Sequence, residues 1–167
     1  MKPLFLVSVA AIVLVTAPAP TPAQTGPDFS GRWRISQSKS SRGAVGNGAR
    51  VTFPSEMVIK QQPAELHIES SLPRTPSVTT VYKLDGSEVT VTMAEGITGV
   101  TEKAKATRDG ATLVIAARRI VSTPIGDLVT ESKEVWTRNG NVLSIARTQT
   151  SFGLSENETA VYEKDQS

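Results

Sequence analysis

The chain has 167 residues, of which 38% are hydrophobic, 20% charged and 5% aromatic, and this composition suits one globular domain with a modest core. The formal net charge is only +2, and no basic stripe with interleaved aromatic residues occurs, so nucleic acid is not an expected partner. The chain has no cysteine, which excludes a disulfide and excludes lipid attachment to a cysteine.

Residues 1–23 have the pattern of an export signal. Lys2 gives a positive start, and the apolar run 4–15 that follows is too short to span a bilayer, which takes about 20 residues. The run has the length of the hydrophobic region of a signal peptide, and small residues at Thr21 and Ala23 predict cleavage after Ala23. We therefore expect a periplasmic or secreted protein with no membrane insertion after cleavage; a retained membrane anchor is the alternative.

The remaining chain is expected to be a disordered tether, residues 24–27, followed by a single domain, residues 28–167. The domain opens with Phe29, Gly31, Trp33 and Ile35 in alternation with polar residues, a period of two that predicts a half-buried strand. The next segment, residues 37–48, is rich in Ser and Gly. It predicts a mobile loop that is long enough to cap or gate the fold.

Alternating segments rich in Val, Ile and Thr continue towards the C-terminus, with turn-forming residues between them. Asp85-Gly86 predicts a hairpin with a type I′ turn, which needs positive φ at both central residues. Asp109-Gly110 and Asn139-Gly140 predict further turns of the chain. The strands predicted after the first one are 51–53, 56–61, 65–70, 78–84, 88–93, 100–108, 111–121, 128–138, 142–151 and 158–164.

These segments predict an all-β domain built as an antiparallel meander. An open meander would expose two sheet edges, and closure into a barrel removes them. A barrel of about 8–10 strands either fills its interior with side chains or holds one small ligand.

The opening of the domain resembles a known family. Phe29, Gly31 and Trp33, followed by the pair Lys39-Ser40, resemble the F-x-G-x-W segment and K-S pair that open secreted bacterial lipocalin-like (calycin-type) proteins. The resemblance implies that the antiparallel meander closes into a lipocalin-like β-barrel of about 8–10 strands.

In the wider lipocalin group, the tryptophan of this motif packs at the closed end of the barrel, under a basic residue from a late strand. The resemblance implies the same role for Trp33. Arg147 and Lys164 are the candidates for the basic residue. The motif that we assign to the barrel floor is Phe29, Gly31, Trp33 and Arg147.

The resemblance also implies that the barrel binds a small apolar or amphipathic molecule. A small barrel enzyme of unknown reaction is one alternative, and an envelope interaction or stress protein with a filled barrel is another. An inward carboxylate touching a polar partner would favour the enzyme. The side chains predicted to contact a ligand are Trp136, Tyr82, Tyr162, Met93 and Arg118. For the first four the alternative is plain barrel core, and for the arginine it is pairing with a glutamate.

No catalytic or metal-binding motif stands out in the sequence. His67 is the only histidine, and its apolar neighbours place it on the outer face of a strand. Most glutamates, Glu134 among them, alternate with apolar residues and are expected to face solvent. Glu102 and Glu131 lie in weakly patterned strands and are candidates to point inward. No G-x-S-x-G, P-loop or dinucleotide motif occurs, so binding is favoured over catalysis. We expect a monomer without a cofactor or metal.

Overall fold

The computed structural model describes residues 26–41, 53–71, 76–91, 93 and 98–165. The regular structure of this part is all β-strand, and it contains no helix that could cross a membrane. The predicted signal peptide, most of the predicted loop 37–48 and residues 51–52 of a predicted strand lie outside it. The ten strands of the described part are β1 (Gly31–Ile35), β2 (Glu56–Gln61), β3 (Glu65–Ser71), β4 (Val78–Lys83), β5 (Asp85–Thr90), β6 (Val100–Asp109), β7 (Thr112–Thr123), β8 (Gly126–Asn139), β9 (Val142–Ser151) and β10 (Leu154–Lys164).

All strand pairs are antiparallel, and the sheet order in the described chain is β4-β3-β2-β1-β10-β9-β8-β7-β6-β5. Strand β1 lies between β2 and β10, so the first and last strands join the two halves of the meander. Trp33 lies opposite Met57 on one side and opposite Lys164 on the other. The edge strands β4 and β5 then come next to each other. The predicted all-β antiparallel barrel is confirmed, as a nearly closed one of ten described strands.

The two edge strands meet at Leu84 without pairing. Strand β4 ends one residue before Leu84 and β5 begins one residue after it, yet no ladder joins them in the described part. The predicted hairpin at Asp85-Gly86 is therefore wrong. Asp85 Oδ1 instead accepts a hydrogen bond from the backbone N–H of Ser87 (2.8 Å). Gly86, with φ of 84°, lies where the pairing of β5 with β6 shifts register.

The other two predicted turns form hairpins. Strand β6 turns into β7 at Gly110, and β8 turns into β9 at Gly140. These glycines have φ of 57° and 58°, a region that most other residues avoid. Together with Leu84 the two turns mark one end of the barrel, which we call the floor. The opposite end, where β7 turns into β8 and β9 into β10, is the mouth.

The core lies at the floor end. Side chains alternate along each strand, so every second residue points into the barrel. Near the floor these inward residues are large and apolar, and they exclude solvent. The buried hydrophobic residues are Phe29, Trp33, Met57, Ile59, Leu66, Ile68, Leu84, Ala104, Ala106, Leu113, Ile115, Trp136, Leu143, Ile145, Ala160 and Tyr162.

Candidate functional site

Trp33 is fully buried in the floor of the barrel. Its indole Nε1 donates a hydrogen bond to the backbone oxygen of Phe29 (2.8 Å). The Phe29 ring meets Trp136 edge to face, with ring centroids 6.3 Å apart and an interplanar angle of 78°. Aromatic pairs in this geometry gain energy beyond the area that they bury. Phe29, Trp33 and Trp136 all belong to the buried core of the floor, and we call these three residues the aromatic layer.

Two basic side chains lie against the Trp33 ring. The guanidinium carbon of Arg138 is 5.6 Å from the ring centroid, and Lys164 Nζ is 5.7 Å from it. Both distances are within the range of a cation–π contact, about 6 Å. Lys164, one of the two candidates from the sequence, is thus one of the two basic residues at the Trp33 ring. Arg147, which we assigned to this role, lies further along β9 towards the mouth, and its guanidinium is 3.7 Å from the Phe53 ring centroid.

Gly31 makes room for the lysine of the floor. Its φ of 143° is one that residues with side chains rarely adopt, and a Cβ there would collide with the aliphatic chain of Lys164. Because Gly31 has no side chain, Lys164 can cross β1 and reach the Trp33 ring. Gly31 therefore contributes to the floor by leaving room for the lysine.

The chain before β1 crosses the outer side of the floor. Arg108 donates a hydrogen bond to the backbone oxygen of Pro27 (3.3 Å), and Arg138 donates one to the backbone oxygen of Asp28. Burial lowers the pKa of Arg108, whose Nε is buried without a hydrogen-bond partner among the described residues. Pro27, which falls in the predicted disordered tether, is therefore held against the barrel.

A charged cluster crosses three neighbouring strands on the inner face of the barrel. Arg147 on β9 lies directly opposite Glu134 on β8 and Glu158 on β10. Its Nε and Nη2 are 2.8 and 2.7 Å from Glu134 Oε1, and its Nη1 is 4.0 Å from Glu158 Oε2. The Arg147 side chain is only 5% exposed. One buried guanidinium therefore links two inward carboxylates.

Glu134 also accepts a hydrogen bond from Trp136, with 2.8 Å between Glu134 Oε2 and the indole Nε1. The Glu134 side chain is 16% exposed, so the prediction that it faces solvent is wrong. The sequence does contain a signal for the inward orientation of Glu134. Residues two apart on a strand share a face, and an inward Trp136 therefore implies an inward Glu134.

A second ion pair lies on the inner face between β6 and β7. Arg119 donates to Glu102 Oε2, and these side chains are 25% and 13% exposed. Glu102 therefore points inward, as the sequence suggested, whereas Glu131 points outward. Arg118, predicted to contact a ligand, lies on the outer face with its Nε 3.9 Å from Glu131 Oε1. Arg119 takes the inward position because the buried residues of β7 have odd numbers.

The two tyrosines that we predicted to line the interior differ in their partners. Tyr162 is fully buried, and its hydroxyl donates to the backbone oxygen of Pro54 (2.9 Å). Tyr82 is half-buried on the edge strand β4, and its hydroxyl makes no hydrogen bond to a described residue. Burial raises the pKa of Tyr82, and so do the carboxylates of Glu134 and Glu102. The Tyr82 ring therefore faces the charged cluster from across the barrel.

His67 lies on the outer face of β3. Its Nε2 is 3.1 Å from Glu65 Oε2, and the side chain is 33% exposed, which agrees with the predicted outward orientation. No group of three or more His, Asp or Glu side chains in the described chain could hold a metal ion.

The interior thus has two zones. The floor zone is apolar and dry. In the mouth zone, nearer the opposite end, the inward residues Ala117, Ser132 and Gln149 are only half-buried, although they lie within long strands. Met93, half-buried just beyond β5, lies on the mouth side as well. The ion pairs of Arg119 and Arg147 belong to the mouth zone.

No family model and no curated protein matches the sequence. Two solved structures resemble the fold with little sequence identity. A secretory abundant heat soluble protein from Ramazzottius varieornatus is 18% identical, with a TM-score of 0.52 over 82% of this chain and 95% of that one. Zebrafish ileal bile acid-binding protein, in complex with cholic acid, is 15% identical, with a TM-score of 0.52 over 82% of this chain and 98% of that one. The chain therefore has the fold of a lipocalin-like β-barrel.

Proposed function

We propose that the protein is a periplasmic or secreted carrier that holds a small apolar or amphipathic molecule inside its barrel. The two-zone interior carries this proposal. A ligand site combines a mostly apolar lining with a few placed polar groups. The floor zone supplies the apolar lining, and the mouth zone supplies the polar groups. The apolar part of the molecule would rest on the aromatic layer around Trp136, and its polar part would meet Tyr82 and Arg119.

The likeness to a bile acid-binding protein adds support. That barrel holds cholic acid in its crystal structure, and the resemblance covers 82% of this chain and 98% of that one. Cholic acid has an apolar body and polar groups, which is the kind of molecule that a two-zone interior suits. The proposal concerns the class of ligand and leaves its identity to experiment.

A small enzyme is the second candidate, because inward carboxylates do touch polar partners. Glu134 contacts both Arg147 and Trp136, and Glu102 contacts Arg119. Such groups could act on a bound molecule as well as orient it. The two functions separate in one observation, since a carrier returns its ligand unchanged and an enzyme does not.

Native mass spectrometry of protein purified from its own cells tests the proposal. The carrier should show a non-covalent adduct that is lost on stronger activation and is recovered by organic extraction. Titration with the uncharged apolar dye 1-N-phenylnaphthylamine gives a second readout, because the dye should brighten on entering the barrel. A protein that carries no adduct and leaves the dye dark would instead support a filled barrel with another role.

Export is tested separately by the intact mass of the protein from the periplasm or medium. Cleavage after Ala23 should give the mass of a mature chain that begins at Gln24. If Gln24 cyclises, the measured mass should be lower by one molecule of ammonia. A product that retains the apolar run 4–15 would contradict the signal peptide. A product found only in the cytoplasmic fraction would contradict the localisation.

A further inference from the structure

The two described hairpin turns at the mouth carry apolar side chains that face solvent. The turn from β7 to β8 contains Ile125, which is 94% exposed. The turn from β9 to β10 contains Phe152 and adjoins Leu154, and these side chains are 70% and 73% exposed. The part of the chain that the structure describes has one other exposed large hydrophobic residue, Val81, at 38%. Exposed apolar side chains of this size are therefore concentrated at the mouth.

The corresponding hairpin turns at the floor contain no large apolar residue. Strand β6 turns into β7 through Gly110 and Ala111, and β8 turns into β9 through Gly140 and Asn141. All four turns are exposed, yet only the two at the mouth are apolar. A general tolerance of apolar residues at exposed turns does not explain this difference, because it would apply equally to both ends of the barrel.

Phe152 has a backbone conformation that suits glycine. Its φ is 51°, and no other non-glycine residue of the described chain has a positive φ. Gly110 and Gly140, which are likewise the first of two loop residues in their hairpins, have φ of 57° and 58°. This conformation is unfavourable for a bulky residue, and glycine or asparagine is usual there. Because the Phe152 ring is also exposed, burial within the chain does not offset the strain, which points to a contact outside the chain.

The side chains behind the second tip are polar and mostly neutral. On the outer face of the β9–β10 hairpin, Thr150 Oγ1 lies 2.8 Å from Ser155 Oγ, and Thr148 donates a hydrogen bond to Asn157 Oδ1 (2.8 Å). The stretches 120–130 and 148–157 contain one acid each and no Lys or Arg. Apolar tips backed by hydroxyl and amide groups match the order of acyl chains and headgroups at a lipid surface. The absence of basic residues from both stretches fits zwitterionic rather than anionic headgroups.

The two tips are separate projections and do not form one continuous apolar face. The last pair between β8 and β9 is Thr130 with Ser151, and β8 continues beyond it with β7 as far as the turn at Ile125. Ile125 therefore projects further than Phe152. A protein partner would need a matching pocket for each tip, whereas a fluid lipid surface accommodates both without a fixed shape.

We propose that the protein docks mouth first on a surface of zwitterionic lipid, with Ile125, Phe152 and Leu154 inserted at the boundary between headgroups and acyl chains. The barrel rests on this surface and does not span it. Docking places the mouth against the bilayer, so that an apolar molecule can pass between the two without crossing water. The contact needs no ligand inside the barrel, and the proposal therefore stands independently of the carrier function.

Single labelled cysteines show which end docks, since the chain has no cysteine of its own. Leu154→Cys places an environment-sensitive nitrobenzoxadiazole dye at the mouth, and Asn141→Cys places it at the floor. With vesicles of phosphatidylcholine, the mouth label should brighten and the floor label should not. Equal brightening of the two labels, or none, would overturn the inference. So would binding that appears only when phosphatidylglycerol is added, because it would show an electrostatic contact.

Phe152→Asn separates docking from folding. It should lower the partition of the mouth-labelled protein into phosphatidylcholine vesicles by about tenfold, because the inserted ring is lost. Its melting temperature should equal or exceed that of the parent, because asparagine suits the left-handed conformation. Ile125→Ser should also lower the partition. Val81→Thr is the matched control, since it removes an exposed apolar group away from the mouth and should change nothing. Unchanged partition of both mouth variants would overturn the inference.

A second copy of the chain is the competing occupant of the tips. Sedimentation of the parent without vesicles should show a monomer, and a dimer that Phe152→Asn dissociates would overturn lipid docking. Binding of 1-N-phenylnaphthylamine in solution separates this inference from the carrier function. If the protein docks on vesicles but does not bind the dye, only the carrier function fails. If it binds the dye but does not dock, only this inference fails.

Discussion

At the scale of single residues, Trp33 combines three interactions in one buried ring. It belongs to the aromatic layer, donates a hydrogen bond to the backbone oxygen of Phe29, and lies within cation–π distance of two basic side chains. The hydrogen bond orients the indole ring, and Arg138 and Lys164 contact the ring in that orientation. The ring therefore stabilises the floor and the start of the domain together.

Trp33→Ala should lower the free energy of unfolding by about 3–5 kcal/mol, because it removes a large buried ring from a packed layer. That is a large share of the roughly 5–15 kcal/mol that keeps a domain folded. Trp33→Phe should cost much less, since it keeps an aromatic ring and loses the hydrogen bond to Phe29. Chemical and thermal melts measure both. A Trp33→Ala protein that melts within a degree or two of the parent would contradict the floor role.

Trp136 gives a matched comparison. It shares the aromatic layer, but it also donates to Glu134 and so reaches the mouth zone. Trp136→Phe should change dye binding more than the melting temperature, and Trp33→Phe should do the reverse. Equal effects of the two variants on binding would show that Trp136 is plain core.

Tyr82 predicts how stability depends on alkaline pH. Its pKa is raised in the folded state, first by burial and then by Glu134 and Glu102, whereas an unfolded tyrosine has a pKa of about 10. Above that pH the unfolded chain loses the proton and the folded chain keeps it, so the unfolded state is favoured. The contribution of Tyr82 to the free energy of unfolding is fully present below about pH 10. Above that pH it falls by up to about 1.4 kcal/mol per pH unit.

Urea melts of the parent and of Tyr82→Phe between about pH 8 and 11 check this slope. The variant should lose less stability in the alkaline range and change little at neutral pH, because the Tyr82 hydroxyl has no hydrogen-bond partner among the described residues. Tyr162→Phe is the contrasting variant. It also removes a raised pKa, but it loses the hydrogen bond to Pro54 and should cost about 1 kcal/mol even at neutral pH. Identical alkaline slopes in parent and Tyr82→Phe would contradict the prediction.

At the scale of strands, Arg147 connects β8, β9 and β10 on the inner face. Arg147→Met should lower the free energy of unfolding by about 3–5 kcal/mol, because it leaves Glu134 and Glu158 partly buried without the guanidinium between them. Arg118→Met is the control on the outer face, where Arg118 faces the exposed Glu131, and it should cost less than about 1 kcal/mol. Urea melts at neutral pH compare the two. Equal costs would show that the inner cluster contributes no more than a surface pair.

The edge strands predict an uneven pattern of hydrogen exchange. Strands β4 and β5 each pair on one side only, whereas β8 and β9 pair on both sides. Amide groups that face the gap have no partner among the described strands, so peptides from β4 and β5 should exchange much faster than peptides from β8 and β9. Exchange followed by mass spectrometry measures this. Equal protection of the two regions would mean that the gap is closed in solution.

At the scale of the whole molecule, the sequence predicted the barrel because its signals are local. Alternation around Trp33 and the glycines at positions 110 and 140 each specify a strand or a turn by themselves. Gly31 and Trp33 also predicted a buried ring under a late cation, and Lys164 provides one of the two found. The hairpin at Asp85-Gly86 failed because the same two residues also suit a register shift, and only the closure of the whole sheet decides between the two.

The charged interior could not be predicted in the same way. The orientation of Arg118 and Arg119 depends on which face of β7 is inward, and the preceding run 113–117 is apolar on both faces in the sequence. The partners of Arg147 depend on register with two other strands, which no local pattern states. Polar residues inside a barrel break the rule that polar positions face solvent. A prediction of side-chain orientation from polar and apolar alternation therefore places these residues on the outer face of the barrel.

The pairing of β1 with β10 has a consequence for the order of events during synthesis. Arg34 and Asp165, which meet at this seam, are 131 positions apart. Strand β1 is synthesised before the other nine described strands, and its second neighbour, β10, is synthesised after them. Contacts so distant in sequence form slowly, because a long loop must first be closed. The nascent chain therefore cannot complete its barrel until β10 has been synthesised, and the strands made before it must wait with one partner missing.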